Sequence, residues 1–296
     1  MRFRRSVHAD VITARRATAE DRQAILDLMA RSWWHHGAPA LDDVLALLHG
    51  GASTVAFTRS RCIGWLGFSV RDAAGSPAER WADVASLAIS DDHASAKTLR
   101  ALLDATVEEL DARSVTGLVC LSSARWLKEM LSELKFTEAD RVIGYARSGR
   151  LPSPPSRGPA RLRAARPSEG DLVLALNSAA FIPIWRYDSS TILSWLLTAD
   201  HAVVAETEAG HAGFGLTTGA RDSEFIQLVR VAIAPQFQGH GIGRQVVLDA
   251  IRYAEDTGAA GLSLNTQASN SVSRHLYERL EFRLTGQSVS VLVRGT

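Results

Sequence analysis

Two halves of this chain repeat one another in order, on either side of a proline-rich stretch, and that limits the fold more than any other feature. Pro152, Pro154, Pro155 and Pro159, with Ser153, Ser156 and Gly158 between them, read as an extended, stiff linker over residues 150–160. Arg16, Thr18 and Asp21 match Arg166, Ser168 and Asp171, each 150 positions later, and both sets carry a Ser/Thr-x-x-Asp helix start. Val55, Ala56, Thr58 and Gly64 recur 149 positions on as Val204, Ala205, Thr207 and Gly213. Ala88-Ile89 recurs as Ala232-Ile233, Leu103-Asp104-Ala105 as Leu248-Asp249-Ala250, and Leu134 with Phe136 as Leu280 with Phe282. The offset drifts as changes in loop length make it drift. The order is kept, which chance matches over most of a chain do not do. A length of 296 residues accommodates two domains, 1–149 and 161–296.

Each half reads as strand, helix or helices, two to three antiparallel strands, helix, strand, helix and final strands. That is an α/β fold, two tandem domains each with a mixed, mostly antiparallel sheet flanked by helices. In the second half the pattern predicts strands near 161–166, 201–207, 211–218, 224–233, 261–266 and 287–294. Helices are predicted near 169–180, 189–198, 242–257 and 271–280.

The second half also holds an anion cradle. The apolar run Val229 to Ala234 leads into Gln238-Gly239-His240-Gly241-Ile242-Gly243-Arg244, after which apolar residues recur at helical spacing. A helix start leaves backbone N–H groups unpaired and carries partial positive charge, so it suits phosphate once glycines let a ligand approach. A dinucleotide fingerprint wants a third glycine where Val246 stands, and a nucleoside-triphosphate loop wants Gly-Lys-Ser/Thr where Gly243-Arg244-Gln245 stands. What remains is Gln238-x-x-Gly241-x-Gly243, followed in order by Asn270, Leu276-Tyr277 and Phe282. This resembles the acetyl-CoA pyrophosphate loop and the Asn…Leu-Tyr…Gly-Phe signature of the GNAT superfamily of N-acetyltransferases. Glu281 departs from the family's glycine before the phenylalanine. The resemblance to tandem GNAT proteins covers nearly the whole chain, but its specific motifs lie in the second half. At the matching place the first half has His93-Ala94-Ser95-Ala96-Lys97-Thr98 without a glycine, and Leu131 stands opposite Tyr277. The first copy therefore reads as degenerate, kept for packing, for shaping the acceptor pocket or for contacts in a homodimer.

Bulk composition excludes other classes. Thirty-three Lys and Arg against 32 Asp and Glu give a net charge of +1, with no basic run to face nucleic acid or anionic lipid. No apolar stretch has the length of a membrane span and no apolar signal region follows Arg2, Arg4 and Arg5, so a cytoplasmic protein is expected. Cys62 and Cys120 sit in apolar runs and read as buried thiols. The nine histidines show no metal-ligand spacing beyond adjacent His35-His36, and no metal is expected.

The resemblance implies acetyl-CoA as co-substrate and direct attack by an amine in a ternary complex. It implies that the backbone at Val231, Ala232 and Ile233 pairs with the pantetheine arm. It places Gln238 to Arg244 on the pyrophosphate, with Arg244 adding a charge-assisted contact. Tyr277 is the implied general acid: a phenol with an unperturbed pKa of about 10 stays protonated at neutral pH. Asn270 either caps the next helix or bonds a cofactor amide, and Ser273 is a further contact. The base is less legible. Positions where relatives hold a glutamate carry Gln227 and Asn265, neither of which takes a proton; Glu224 is the nearest carboxylate, and Asp188 and His201 are weaker candidates. A water chain held by Gln227 and Asn265 is the preferred reading.

Magnitude selects among acceptors. A lysine-type amine costs about 4.6 kcal/mol to deprotonate at pH 7, whereas an α-amine costs about 1. Without a strong base, a peptide N-terminus or a polyamino small molecule is the easier acceptor. Phe181, Trp185 and Tyr187 read as its pocket, with Trp195 as core. The rival from another class is a noncatalytic acyl-CoA-binding sensor or interaction protein. A Gly241→Val change is expected to abolish cofactor affinity in either case.

Overall fold

The computed structural model describes residues 11–37, 41–50, 52–71, 80–149, 158–219 and 225–295. Most of the linker, including Pro152, Pro154 and Pro155, lies outside the described residues, as does Glu224. The chain divides into two compact units, which take residues up to 139 with 291–295, and residues 140–149, 158–219 and 225–290 respectively.

In the first unit, strands β1 (Ile12–Arg16), β2 (Trp34–His36), β3 (Ala52–Thr58), β4 (Arg61–Val70), β5 (Arg80–Ile89) and β6 (Val115–Ser122) alternate with five helices. These are α1 (Arg22–Arg31), α2 (Leu41–Gly50), α3 (Ala96–Asp104), α4 (Val107–Ala112) and α5 (Arg125–Glu133). The sheet runs β1-β3-β4-β5-β6, with β2 on β5. Neighbours are antiparallel except β5 and β6, which run parallel over Arg80–Asp83 and Val115–Val119. Helix α1 buries Ile25 and Leu28 among Val44, Val55 and Trp65. A second core, on Leu99, Leu102, Leu127 and Leu131 from α3 and α5, includes Phe136 and Leu292.

The second unit begins with most of β7 (Thr137–Ser148) and continues through β8 (Arg161–Ala164), α6 (Gly170–Ala180) and α7 (Ser189–Thr198). Then come β9 (His201–Thr207), β10 (Gly210–Thr218), β11 (Phe225–Ile233), α8 (Ile242–Asp256), β12 (Gly261–Gln267), α9 (Ser271–Arg279) and β13 (Arg283–Gly295). Its strand order is β13-β7-β12-β11-β10-β9-β8. Strands β11 and β12 pair in parallel, over Phe225–Leu228 and Gly261–Leu264. Helix α8 buries Ile242, Val246, Val247, Ala250, Ile251 and Ala254 along one stripe, each large aliphatic contributing about 1.5–3 kcal/mol.

These elements agree with the helices and strands expected for the second half, except that β13 starts at Arg283. Two details of the repeat differ. Strand β7, placed by sequence at the end of the first domain, pairs antiparallel with β12 from Val142↔Gln267 to Ser148↔Gly261, and so belongs with the second unit. Val291 and Leu292 are buried and belong with the first. The helix starts also match one step differently. Thr18 N–H donates to Asp21 at 2.8 Å and Arg15 grips that carboxylate through two 2.7 Å contacts. In the second unit the same device uses Arg166 N–H, Glu169 and Arg163, an offset of 148, rather than Ser168 and Asp171. Cys62 and Cys120 are buried free thiols, and burial pushes Cys120 up to about 12. Among the described residues, no helix is long and apolar enough to cross a membrane.

Candidate active site

Strand β11 changes its facing half-way, and this organises the site. Leu228 pairs with Thr217 and Arg230 with Leu216, so Val229 is an extra residue in the ladder, a bulge. Before it, Ile226 and Leu228 pack with α8 residues; after it, Arg230 and Ala232 face α6 and α7, while Val231 and Ile233 pack with Ile242 and Val246. The bulge thus aligns Gln227 with Arg230 and Ala232 on one face. Gln227 is exposed and pairs with Ser263; Asn265, also exposed, stands two residues further on that face of β12. Beyond Leu228, β11 loses its pairing with β12, which leaves backbone groups of 231–233 on that edge without a strand partner among the described residues.

At the end of β11, a 3-10 turn at Pro235–Phe237 delivers the chain to the glycine loop. Gln238, Gly239, His240, Gly241 and Arg244 are exposed. The Gln238 side chain donates back to the Ile233 carbonyl at 2.9 Å, so it braces the loop against the strand. Gly239 and Gly241 have φ of +80° and +81°, which side chains adopt only under strain, and Gly241 is the N-cap of α8 without a capping side chain. Among the described residues, the amides of Gly239 to Arg244 meet no acceptor; the first closed turn is Gln245 N–H to Gly241 O at 3.1 Å. Gly243 has ordinary backbone, and a Cβ there would meet only Ile233 at 3.6 Å and Leu276 at 3.9 Å. Both are ordinary contacts, so protein packing does not require a glycine there. A row of donors at a helix N-terminus, reached past bare glycines, fits a pyrophosphate.

Asn270 caps α9, accepting from Ser273 N–H at 3.0 Å, which favours the first of its two expected roles. Tyr277, one turn beyond Ser273, is buried at 7% exposure between the rings of Tyr145 and Phe282, at 6.1 and 5.8 Å. Burial pushes its hydroxyl up to about 12, against a hydrogen bond with the Ser273 side chain that pulls it down. It is a protonated phenol at neutral pH. Glu281 has φ of +66°, the left-handed position that a glycine fills without strain.

The acceptor-side residues organise around Arg230, which sequence reasoning missed. Arg230 is 8% exposed and donates to Asn177 Oδ1 at 2.8 and 3.1 Å and to the Trp185 carbonyl at 2.5 Å. Its guanidinium lies 3.5 Å from the Phe181 ring centroid and 4.7 Å from that of Tyr187. Tyr187 meets Trp195 edge-on at 4.6 Å, and Phe181, Tyr187 and Trp195 are alike partly buried against one core cluster, which does not separate Trp195 as core from the other two as pocket. The weaker base candidates do not stand free there. Asp188 caps α7; burial raises its carboxyl, but hydrogen bonds from Ser190 and Thr191 outweigh this and hold it below the usual range. His201 pairs with Asp249 at 2.6 Å and stacks on Tyr253, toward α8 and away from Gln227. Gln245, also missed, exchanges two hydrogen bonds with Ala160, at 2.7 and 3.1 Å, and ties the end of the linker to α8.

Comparison with known proteins agrees with this geometry. The acetyltransferase (GNAT) family matches residues 171–282. Two mycothiol acetyltransferases are similar in sequence. That of Pseudarthrobacter chlorophenolicus is 40% identical over 52 residues, 18% of this chain and 16% of the relative. That of Nocardiopsis dassonvillei is 28% identical over 125 residues, 42% of this chain and 37% of the relative. The matches thus span well under half the length of those relatives. A tandem GNAT protein from the clavulanic acid biosynthesis pathway has the same fold, with a TM-score of 0.57 at 14% identity over 96% of this chain and 98% of that one. The glycine loop and the bulged central strand both lie within residues 171–282, the part of the chain that matches the GNAT acetyltransferase family.

Proposed function

We propose that the second unit transfers the acetyl group of acetyl-CoA to a primary amine, with both substrates bound together. The observation that carries this is the run of amides from Gly239 to Arg244 that meet no acceptor among the described residues, leading back along β11 to an edge with no strand partner among them beyond Leu228. Those amides and the Arg244 side chain suit the pyrophosphate; Val231, Ala232 and Ile233 offer the edge to the amide-bearing arm. Bound acetyl-CoA supplies the activated acetyl group and a thiolate leaving group. The Tyr277 hydroxyl, positioned by Ser273, is the proton donor for the departing sulfur.

Gln227 and Asn265 orient the incoming amine or a water between them, since neither accepts a proton outright. The acceptor accordingly has a low pKa, as an α-amino group or a polyamino small molecule does. Phe181, Trp185 and Tyr187, held by Arg230, form its apolar boundary on the side of α6 and α7. The test is release of free thiol from acetyl-CoA in the presence of a panel of amines, with product identified by mass. Amine-dependent release, lost in Tyr277→Phe while CoA affinity remains, is the expected result. Binding without turnover on any amine overturns the catalytic reading in favour of an acyl-CoA-binding protein; absence of CoA binding overturns both.

A further inference from the structure

We infer that β2 of the first unit fills, from within the chain, the cleft that the second unit leaves open for the cofactor arm, so that each chain takes up one acyl-CoA and not two. The inference rests on the proposed cofactor site of the second unit.

The two central strands have the same half-paired design. Strand β5 is joined to its parallel neighbour only over Arg80–Asp83, and β11 only over Phe225–Leu228. Past those residues one edge of each strand needs partners for its N–H and C=O groups. In the first unit Leu87, Ala88 and Ile89 pair with Leu66, Trp65 and Gly64 of β4 on one edge. On the other edge they pair with His36, His35 and Trp34 of β2. The occupant is well fastened. Ser32 Oγ donates to the Ile89 carbonyl, Trp33 N–H donates to Asp91 at 3.1 Å, and Trp34 meets Trp126 edge-on at 5.3 Å. His36 Nε2 lies 3.8 Å from the sulfur of Cys120 on β6, which places β2 between β5 and β6. Gly37, at φ +68°, continues the close approach: a Cβ there would sit 2.4 Å from the Ala85 carbonyl oxygen. The plug therefore covers β5 from Ile89 back to Ala85.

The matching segment of the second unit, 149 positions later, is Pro183-Ile184-Trp185. Proline has no N–H to give a ladder and a fixed φ, and this segment folds as a 3-10 turn whose Trp185 carbonyl is taken by Arg230. Among the described residues no strand pairs with this edge of β11 at Val231 to Ile233. An extended peptide and an amide-bearing thioester arm satisfy the same strand edge by the same hydrogen bonds, and the first unit supplies its own.

Hydrogen exchange on the full chain, with and without CoA, and calorimetric titration of CoA test this together. Amides of residues 34–36 and 87–89 are expected to be protected without ligand and unchanged by it, while those of 229–233 slow on binding. One equivalent of CoA is expected, falling to none in Gly243→Val, whose backbone is unstrained and whose folding is checked by circular dichroism. Two equivalents, or loss of protection at 34–36 on adding CoA, overturns the inference and leaves the second unit's site standing; one equivalent surviving in folded Gly243→Val overturns that site and the inference with it. Fast exchange at 34–36 in the free chain overturns the plug whatever CoA does. No binding by the unaltered chain overturns the proposed function and this inference with it.

Discussion

The helix that follows the central strand begins differently in the two units. In the first, Ser95 caps α3: Thr98 N–H donates to Ser95 Oγ at 3.5 Å, and Thr98 Oγ1 donates to the His93 carbonyl at 2.7 Å. In the second, Gly241 occupies the cap position of α8 with no side chain to offer, and the amides of Gly239 to Arg244 meet no acceptor among the described residues. Both helices carry the same partial charge at their starts. Only the one whose own residues leave its donors unsatisfied is available to a ligand. A lone helix terminus is thus a weak signal, and the absence of a cap is the informative part.

Changes that touch the open site should have large effects in the second unit and none at the matching place in the first. Tyr277→Phe should lower kcat by a factor on the order of 10² to 10⁴ in steady-state assays with CoA affinity kept, whereas Leu131→Met, at the matching position, should leave kcat unchanged. Because the Tyr277 phenol is held up to about 12, its ionisation should contribute no alkaline fall in rate until the pH approaches that value. Gly243→Ala should weaken CoA about tenfold by calorimetry, about 1.4 kcal/mol. It should also raise unfolding stability by about 0.5–1 kcal/mol, since alanine suits a helix better than glycine and its Cβ has room. Opposite signs for binding and stability would mark the residue as kept for the ligand. Ser95→Ala should do the reverse, lowering stability by about 1 kcal/mol in chemical denaturation with CoA affinity intact.

Where the units are alike, variants should behave alike. The Arg15 guanidinium holds Asp21 below the usual carboxylate range, and Arg163 brings Glu169 down to about 2. A depressed folded value contributes stability above the unfolded pKa near 4, lost as pH falls through the folded one. Asp21→Asn should therefore flatten the acid limb of a stability curve, by on the order of 1 kcal/mol after allowing for the exposed Arg15. The smallest effect concerns the residue before each conserved-register phenylalanine. Lys135 at φ +67° and Glu281 at φ +66° are non-glycine residues in the left-handed region, and either one replaced by glycine should gain about 0.5 kcal/mol in thermal melts.

Much of the second unit was legible because its signals are local. The stripe of α8, the glycine loop and the Asn270 cap each lie within one short continuous segment, and the structure places them at the expected positions. Arg230 gave no such signal. The alternation of β11 marks it as one more strand position, and only the extra residue at Val229 turns it onto the aromatic side. Strand β2 is three residues long, too short to show a period. The mismatch at Glu169 arose because aspartate and glutamate serve the same cap, so chemistry persisted where residue identity and offset did not. Which strand joins which sheet was illegible at β7 and at the end of β13, since alternating strands carry no address for their partners.

The interleaving of β7 and the last strand has a biosynthetic consequence. The core holding Leu127, Leu131 and Phe136 also includes Leu292, from a segment translated after the second unit. The first unit is synthesised early but completed late, so its apolar face must wait, exposed to chaperones or to other nascent chains, until the second has almost emerged. Severing the chain at the proline stretch would leave the leading fragment without its closing strand, and peptide 283–296 supplied in trans is the piece that would restore it.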